Sequence, residues 1–359
     1  MATTKMPMKR GIILVMIAGL LVLLLYMYYV VGIGKVVSQF EKINLYYYAV
    51  AFLAALASIL FFALTWHRLL TNLSIKIKIR QVLLFVYSGI FIDSLVPEPT
   101  NITGDLLKAY LVSKATGENS GKTTASVITH KTLGLVITVG SLIAGLLLLA
   151  LSFHPLKGVI IFAIVVLILL SFLVLLGFYY VSTRRWASEK ILYGAIGIIS
   201  FVSRGRFDSA KLKARADELL NSFHEGIQIL IARPRTLVKP MLLSIISWAF
   251  DVSTVFLVFL SIGYPVTPAK VLIVYALTGS LQSMGVSFVG IIEVIMSALY
   301  TILRIPSAVS LTATLLSRFI TFWFNLIIAY GAFQYAGLKL LLNHAENKTE
   351  QKIPDSNAT

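Results

Sequence analysis

Four ionisable residues lie within or beside strongly apolar stretches of this 359-residue chain and recur at a nearly constant spacing. Asp105 precedes Lys131 by 26 residues, and Glu293 precedes Arg318 by 25. Each half of the sequence therefore has an acid followed by a base. A charge at the centre of a transmembrane helix costs about 2.5–3.5 kcal/mol, so such residues mostly face a partner or a polar cavity.

These two acid–base pairs have two interpretations. In the first, they line a central polar groove through which a lipid head group passes. In the second, they are ion pairs that join helices, or they lie near the membrane surface and reach water. Asp93 and Asp251, two lone acids near the apparent ends of spans, are weaker candidates for the groove.

The sequence lacks the common patterns of catalytic and metal-binding residues. It has no H-E-x-x-H, G-x-S-x-G or P-loop motif, and it has no cysteine. Its five histidines are scattered without the spacing of a metal site: His67, His130, His154, His224 and His344. We therefore predict no catalysis, no metal and no cofactor. A membrane-embedded transferase that uses Asp105 or Glu293 as a base is the enzymatic alternative.

The elements that must position these residues are transmembrane helices. The chain is 58% hydrophobic and 13% charged, with a mean hydropathy of +0.89, which is far from a soluble globular profile. We predict an all-α polytopic membrane protein, because apolar runs of about 20 residues recur and each can cross a bilayer. The predicted full spans are 11–33, 45–65, 124–151, 156–181, 240–262 and 307–341. The first is too long for a cleaved signal peptide and is expected to be a retained signal-anchor.

Two further apolar segments are interrupted and are predicted to be re-entrant helical hairpins. The first, 82–117, turns at Pro97 in "PEPTN" and returns in a helix that Thr103 caps near Gly104. The second, 270–304, is interrupted by "GSLQSMGVSFVG", which ends at Gly290. The hairpins would enter from opposite faces, so six spans and two hairpins form an inverted repeat. The alternative is that the hairpins cross completely, which gives eight full spans.

The net charge of +16 is unevenly distributed along the chain. With the N-terminus and the C-terminus in the cytoplasm, most Lys and Arg residues lie on the inner side of the cell membrane, as the positive-inside rule requires. The basic segment 182–239 contains an amphipathic helix that would lie on anionic lipid of the inner leaflet, or it is a solvated connector. We predict no nucleic-acid partner, because no soluble module interleaves basic and aromatic residues.

The predicted organisation is a single transmembrane domain, 1–343. Its first half spans about 45–181 and its second half about 240–341, with the connector 182–239 between them. The polar residues 344–359 are expected to be a disordered tail, because they offer little apolar surface to bury.

Three segments carry a resemblance to a known family: "VPEPTNITGDLLKAYLVSKATG", "ASVITHKTLGLV" and "SMGVSFVGIIEVIMSALYTILRIPSAVSLTATLLSRF". From residue 10 to about 340 the chain resembles the membrane region of lysylphosphatidylglycerol synthases and its stand-alone flippase-like relatives, UPF0104-type proteins of archaea and bacteria. The resemblance places Gly104, Asp105 and Lys108 at a family motif, with Asp where Glu is usual. It also matches Gly290, Glu293 and Arg318 to the second-half motif. His130 and Lys131 stand where Glu and Arg are common.

The resemblance implies a translocator of an anionic phospholipid or a lipid-linked sugar, with Asp105, Lys108, Lys131, Glu293 and Arg318 along its path. The aminoacyl-transferase domain of the synthases and the glycosyltransferase of some relatives are both missing from this sequence. The alternative is a non-catalytic scaffold or accessory subunit of a lipid-modification or glycolipid pathway. Expected partners are membrane lipids, with anionic head groups or polyprenyl-linked sugars. A separate lipid-modifying enzyme and a second copy of the chain are further possible partners.

Overall fold

The computed structural model describes residues 20–95, 102–151, 158–202, 209–283 and 288–350, and within these ranges every regular element is a helix. The helices are α1 Leu20–Val31, α2 Ile33–Phe40, α3 Leu45–Asn72, α4 Ile79–Leu95, α5 Ile102–Thr116, α6 Ser120–Leu151, α7 Gly158–Thr183, α8 Arg185–Val202, α9 Ser209–Ala232, α10 Val238–Ser261, α11 Pro268–Ser283, α12 Ile291–Ile302, α13 Ser307–Arg318 and α14 Asn325–Glu350. A 3-10 turn, Pro234–Leu237, precedes α10, and a π-helical turn, Phe319–Phe324, joins α13 to α14.

Four described helical segments are long and apolar enough to cross a membrane, and they coincide with four of the six predicted spans: Leu45–Asn72, Ser120–Leu148, Pro234–Ser261 and Ser307–Gly337. Two bent helix pairs raise this number to six if each is one span. They are α1 with α2, which meet at 94°, and the segments Ile168–Thr183 and Arg185–Gly194, which meet at 96°. The prediction of an all-α, multi-pass membrane protein is confirmed at this level.

The first predicted span ends earlier than its apolar run suggests. The helix stops at Val31, and Gly32 adopts a φ of +90°, which a residue with a side chain rarely adopts. Residues 33–40, the start of which was included in the span, form the separate helix α2. Residues 11–19 of the predicted span lie outside the described residues.

Helices α4 and α5 form an antiparallel pair across the predicted hairpin 82–117. A Cβ placed on Gly104 would overlap the Gly89 carbonyl oxygen and the Asp93 carboxylate, so the two backbones touch at the glycines. The prediction that Thr103 caps the returning helix is wrong, because α5 already begins at Ile102. Pro97 lies outside the described residues.

Helices α11 and α12 occupy the second interrupted segment, and they pack against each other. Their core is continuous with α10 and α13 through buried side chains such as Phe259, Tyr300 and Leu316. Among the described helices, α3 and α10 pack along each other most extensively, and the Ser247 hydroxyl donates to the Ser58 carbonyl oxygen at 2.9 Å. This interface holds the two halves of the chain together.

The connector 182–239 contains two helices instead of one. Helix α9 packs along the start of α6, where the Gly121 and Gly226 positions have no room for a side chain. Its apolar face, with Leu220, Ile227 and Leu230, is therefore buried against protein, which accounts for the amphipathic pattern without a lipid surface.

The first residues of the segment 344–359, for which disorder is predicted, continue the last helix. Helix α14 continues to Glu350, because its polar end consists mainly of helix-compatible residues and has no proline or glycine. Residues 351–359 lie outside the described residues.

The contact between α4 and α5 predicts the effect of Gly104→Ala. Because the added methyl group meets backbone and the Asp93 carboxylate, we expect the substitution to destabilise the protein by about 1–3 kcal/mol. Gly140→Ala is the matched control, since a Cβ there meets nothing within 4 Å. Thermal unfolding in detergent measures both variants, and equal midpoints would contradict the close packing.

Candidate functional site

The first cluster of charges is built around Asp105, in the first turn of α5. Its Oδ1 lies 2.6 Å from the Lys108 Nζ, and its Oδ2 accepts a hydrogen bond of 2.7 Å from the Lys131 Nζ on α6. The side chains of Asp105 and Lys108 are only 13% and 7% exposed. One carboxylate thus joins two bases, and this group of three carries a net positive charge.

Asp93, on the preceding helix, completes the start of α5. Its Oδ1 accepts a hydrogen bond of 2.8 Å from the backbone N–H of Gly104, one of the donors that a helix N-terminus leaves unpaired. Asp93 therefore acts as a cap supplied by another helix. The sequence signal for this role is the glycine, because only a residue without a side chain allows the carboxylate to approach so closely.

Aromatic rings separate the first cluster from the interior of the bundle. The Lys108 Nζ lies 5.6 Å from the centre of the Phe62 ring and 5.7 Å from that of Trp66, within the range of cation–π attraction. The imidazole ring of His130 packs against the Phe62 ring, and the two ring centroids are 4.2 Å apart. His130 and Lys131 are adjacent in sequence, but only Lys131 joins Asp105.

The second cluster is built around Glu293, in the first turn of α12. Its Oε2 accepts a hydrogen bond of 2.6 Å from the backbone N–H of Gly290, whose φ of +88° requires glycine. Its Oε1 accepts a hydrogen bond of 2.8 Å from the Nε of Arg318, and Glu293 is 2% exposed. The Arg318 guanidinium also lies 4.5 Å from the centre of the Phe322 ring.

The helix that carries Arg318 changes its winding immediately after this residue. Residues Phe319–Phe324 form a π-helical turn, a rare conformation that frequently occurs at functional sites. The Asn325 side-chain amide donates to the carbonyl oxygens of Ile320 and Thr321, at 3.3 and 3.1 Å. The Asn325 side chain thus provides hydrogen-bond donors to backbone carbonyls within and beside the π-helical turn. No pattern of residues in the sequence predicts this turn.

Two partly open cavities are lined by residues of both halves of the chain. The larger, about 330 Å³, is lined on its polar side by Asp251, Ser317, Arg318 and Asn325, and we name it the Arg318 cavity. The smaller, about 200 Å³, is lined on its polar side by His130, Thr138, Ser244, Ser247 and Asp251, and we name it the His130 cavity. Phe62, Asp251 and Tyr275 line both cavities and so form a common wall.

The Arg318 cavity contains unsatisfied hydrogen-bonding groups. Within the described ranges, Arg318 donates only through Nε, so its two terminal nitrogens have no protein acceptor. The Ser317 hydroxyl and the Asn325 Oδ1 are buried and also lack a partner there. These groups offer both donors and acceptors to a polar ligand.

The structure does not place all five predicted site residues on one groove. Arg318 lines a cavity, and Glu293 lies behind it as its ion-pair partner. Asp105, Lys108 and Lys131 are not among the described lining residues of either cavity, because Phe62 and His130 stand between them and the interior. Among the described residues, no group of three His, Asp or Glu side chains is arranged to hold a metal ion.

Comparison with known proteins places these features in a family. The family model described as the lysylphosphatidylglycerol synthase TM region matches residues 13–329. The chain belongs to this family. The resemblance noted in the sequence segments around Gly104 and Glu293 is thereby confirmed.

Archaeal members of the family match nearly the whole chain. A UPF0104 membrane protein of Pyrococcus horikoshii is 26% identical over 339 residues, which cover 94% of this chain and 99% of that protein. A UPF0104 membrane protein of Methanothermobacter thermautotrophicus is 25% identical and covers 91% of this chain and 96% of its own. One of Methanocaldococcus jannaschii is 22% identical, with coverages of 91% and 95%. No solved structure matches the chain significantly.

In this family member, the Glu293–Arg318 contact predicts a strong non-additivity in stability. Arg318→Ala leaves the buried Glu293 carboxylate without its cation, which we expect to destabilise the protein by about 3–5 kcal/mol. The double variant Glu293→Gln with Arg318→Met removes both charges and should lose less. Unfolding free energies in detergent give the comparison.

The matched control is Glu189→Gln, at the exposed pair between Arg185 and Glu189. A surface ion pair contributes about 0–1 kcal/mol, so this variant should unfold close to the parent. The single variants Glu293→Gln and Arg318→Met complete the cycle, and a double variant that loses the sum of their two losses would contradict a coupled pair.

Proposed function

We propose that this protein translocates a lipid with a phosphate-bearing head group, either an anionic phospholipid or a lipid-linked sugar, across the cell membrane. The observation that carries the proposal is the state of Arg318. Its guanidinium lines the Arg318 cavity with two nitrogens that have no protein acceptor within the described residues. A cation that is held in place and still has free donors is suited to bind phosphate.

Glu293 gives Arg318 its orientation. The carboxylate takes the Nε of Arg318 and is itself fixed by the N–H of Gly290, so the guanidinium plane is held by two successive hydrogen bonds. A positioned guanidinium loses little conformational entropy when a phosphate binds. The ion pair thus keeps a charged binding group inside the membrane region at a lower desolvation free energy than an unpaired charge would have.

An inverted repeat is the architecture that we propose for this movement. In this repeat, α3 corresponds to α10, the pair α4 and α5 corresponds to α11 and α12, and α6 corresponds to the span that contains α13 and α14. Helix contacts of the first half then have counterparts in the second half. Under this correspondence, the contact of α4 with α14 becomes the contact of α11 with α6, and that of α5 with α6 becomes that of α12 with α13. Repeats of opposite orientation are typical of transporters that open alternately to the two sides.

The two charge clusters support the same correspondence. In each half, an acid in the first turn of the returning helix contacts a base on the following long helix, Asp105 with Lys131 and Glu293 with Arg318. We propose that α4 with α5 and α11 with α12 are re-entrant hairpins that meet near the midplane. The chain is then one transmembrane domain with both termini in the cytoplasm, and the basic connector 182–239 lies on the cytoplasmic side.

The proposed role is transport without catalysis. The described acids of the two clusters are paired with bases or cap a helix, which leaves them poorly placed as general bases. A scaffold that recruits a separate lipid-modifying enzyme through the connector is the competing role, and a transport assay separates the two.

The test is lipid movement in liposomes that contain the purified protein and head-group-labelled phosphatidylglycerol or a polyprenyl-phosphate analogue. We expect Glu293→Gln and Arg318→Ala to slow label movement by at least about 10-fold, since a hydrogen bond to a charged group contributes about 1.5–3 kcal/mol. Lys122→Ala, which breaks an accessible pair with Glu118, is the control and should leave the rate unchanged.

Parent protein that moves neither lipid, while both are available in the liposomes, would favour the scaffold. Movement that continues at the parent rate in both Glu293→Gln and Arg318→Ala would refute a path through the Arg318 cavity. Each variant must first show the parent elution profile in size-exclusion chromatography, so that misfolded protein is not counted as inactive.

A further inference from the structure

Asp251 occupies a position that the sequence did not suggest. The expectation that it lies near a span end is wrong, because it is close to the middle of α10. Its side chain lines both the Arg318 cavity and the His130 cavity. The carboxylate is therefore the one described acid that the two cavities share.

The neighbours of Asp251 are hydroxyl groups and not bases. The side chains of Ser58 on α3 and Tyr275 on α11 line the Arg318 cavity beside it and interact with its carboxylate. Among the described residues, the ion pairs involve Asp105, Glu118, Glu189 and Glu293, and Asp251 has none. Asp251 thus differs from Asp105 and Glu293, each of which contacts a cation.

A carboxylate without a counter-ion in the middle of a membrane helix is costly to keep charged. Hydroxyl donors reduce this cost, but they do not neutralise the charge. Binding a proton does, and an adjoining cavity provides a route for it. The position of Asp251 therefore points to a group that gains and loses a proton while the protein works.

His130 supplies a second, independent observation. It is 4% exposed and lines the same cavity as Asp251. One face of its imidazole ring packs against the Phe62 ring, which offers no hydrogen-bonding group. A histidine and a carboxylate along one membrane cavity are the parts of which proton relays are built.

The groups that face Asp251 come from four packed helices. Helix α3 contributes Ser58, α11 contributes Tyr275, α13 contributes Arg318 across the larger cavity, and α6 contributes His130 across the smaller one. Arg318 is the only permanently charged base among these described groups, and its charge is already balanced by Glu293. No other acid or base of these helices lines either cavity in the described ranges.

We propose that Asp251 is a proton-binding site that couples the binding of a phosphate head group in the Arg318 cavity to proton uptake through the His130 cavity. This inference rests on the proposed function, and it adds the energy coupling of that transport. A proton from water binds to one carboxylate oxygen, and no covalent bond of the lipid changes.

The coupling follows from electrostatics within one cavity. An anionic head group beside Arg318 shares the cavity with Asp251, and two negative charges in a medium of low dielectric repel each other. Protonation of Asp251 removes this repulsion, so the anion binds more tightly to the protonated protein. By linkage, the bound anion increases proton binding by the same factor. Proton and lipid are therefore expected to move together in the same direction.

The experiment measures the affinity of short-chain fluorescent phosphatidylglycerol for the purified protein between about pH 5 and about pH 8. The phosphodiester keeps one negative charge over this range, so any change in affinity comes from the protein. We expect the affinity of the parent to fall at least about 10-fold as the pH rises. Asp251→Asn should bind tightly at every pH, and Asp251→Glu should restore the dependence. Glu118→Gln, at the accessible pair with Lys122, is the control that keeps the parent slope.

A second readout does not depend on a lipid. Dicyclohexylcarbodiimide modifies protonated carboxyl groups in apolar surroundings, and peptide mass spectrometry locates the modified residue. We expect modification of Asp251 that decreases as the pH rises, and less of it in His130→Ala if the histidine delivers the proton. Absence of modification at Asp251 across the pH range would overturn the proton site.

The outcomes separate the coupling from the transport itself. Binding that is independent of pH and identical in the parent and in Asp251→Asn would overturn the coupling and leave the proposed function standing. Binding of neither phosphatidylglycerol nor the polyprenyl-phosphate analogue at any pH would overturn both. Binding that weakens with rising pH only in proteins with an acid at position 251 would support both.

Discussion

A charged side chain inside the membrane must have a partner, and this constraint orders the structure of this protein. Three described acids have partners of different kinds. Asp105 is shared by two lysines, Glu293 is paired with one arginine and one backbone N–H, and Asp251 has only hydroxyl groups. Asp105 and Glu293 lie in the first turn of a helix that follows an interruption, whereas Asp251 lies within a continuous helix. The two charge clusters therefore occur where the helices are interrupted.

The charge clusters of the two halves differ in how completely their charges are paired. In the first half, two bases saturate one carboxylate, and aromatic rings close the cluster from the cavities. In the second half, the pairing is one to one, and the guanidinium keeps donors that reach the Arg318 cavity. A lysine ammonium would use its point charge on the carboxylate, whereas a planar guanidinium can bind two groups at once. The first cluster is therefore the more completely paired of the two, and the second keeps hydrogen-bond donors at a cavity.

Close packing between helices makes these arrangements possible. Gly89 and Gly104 let α4 and α5 touch, which brings the Asp93 carboxylate to the N-terminus of α5. In the same way, Gly121 and Gly226 let α9 lie against α6. In lipid there is little hydrophobic drive between helices, so contacts of this kind and the hydrogen bonds that they permit provide much of the cohesion. The cavities remain where larger side chains from the two halves meet.

The sequence by itself determined the family, the all-helical membrane class, four of the crossing helices and the partners in both acid–base pairs. It could do so because long apolar runs, glycines and rare charges in membrane segments leave few alternatives. The structure decided what depends on distances between remote segments. It alone showed that Asp93 caps α5, that the apolar face of α9 is covered by protein, and that the first cluster is shut off from the cavities. It also placed Asp251 on the wall between two cavities, since this position depends on how α3, α6, α11 and α13 surround α10, and no local pattern of residues records that packing.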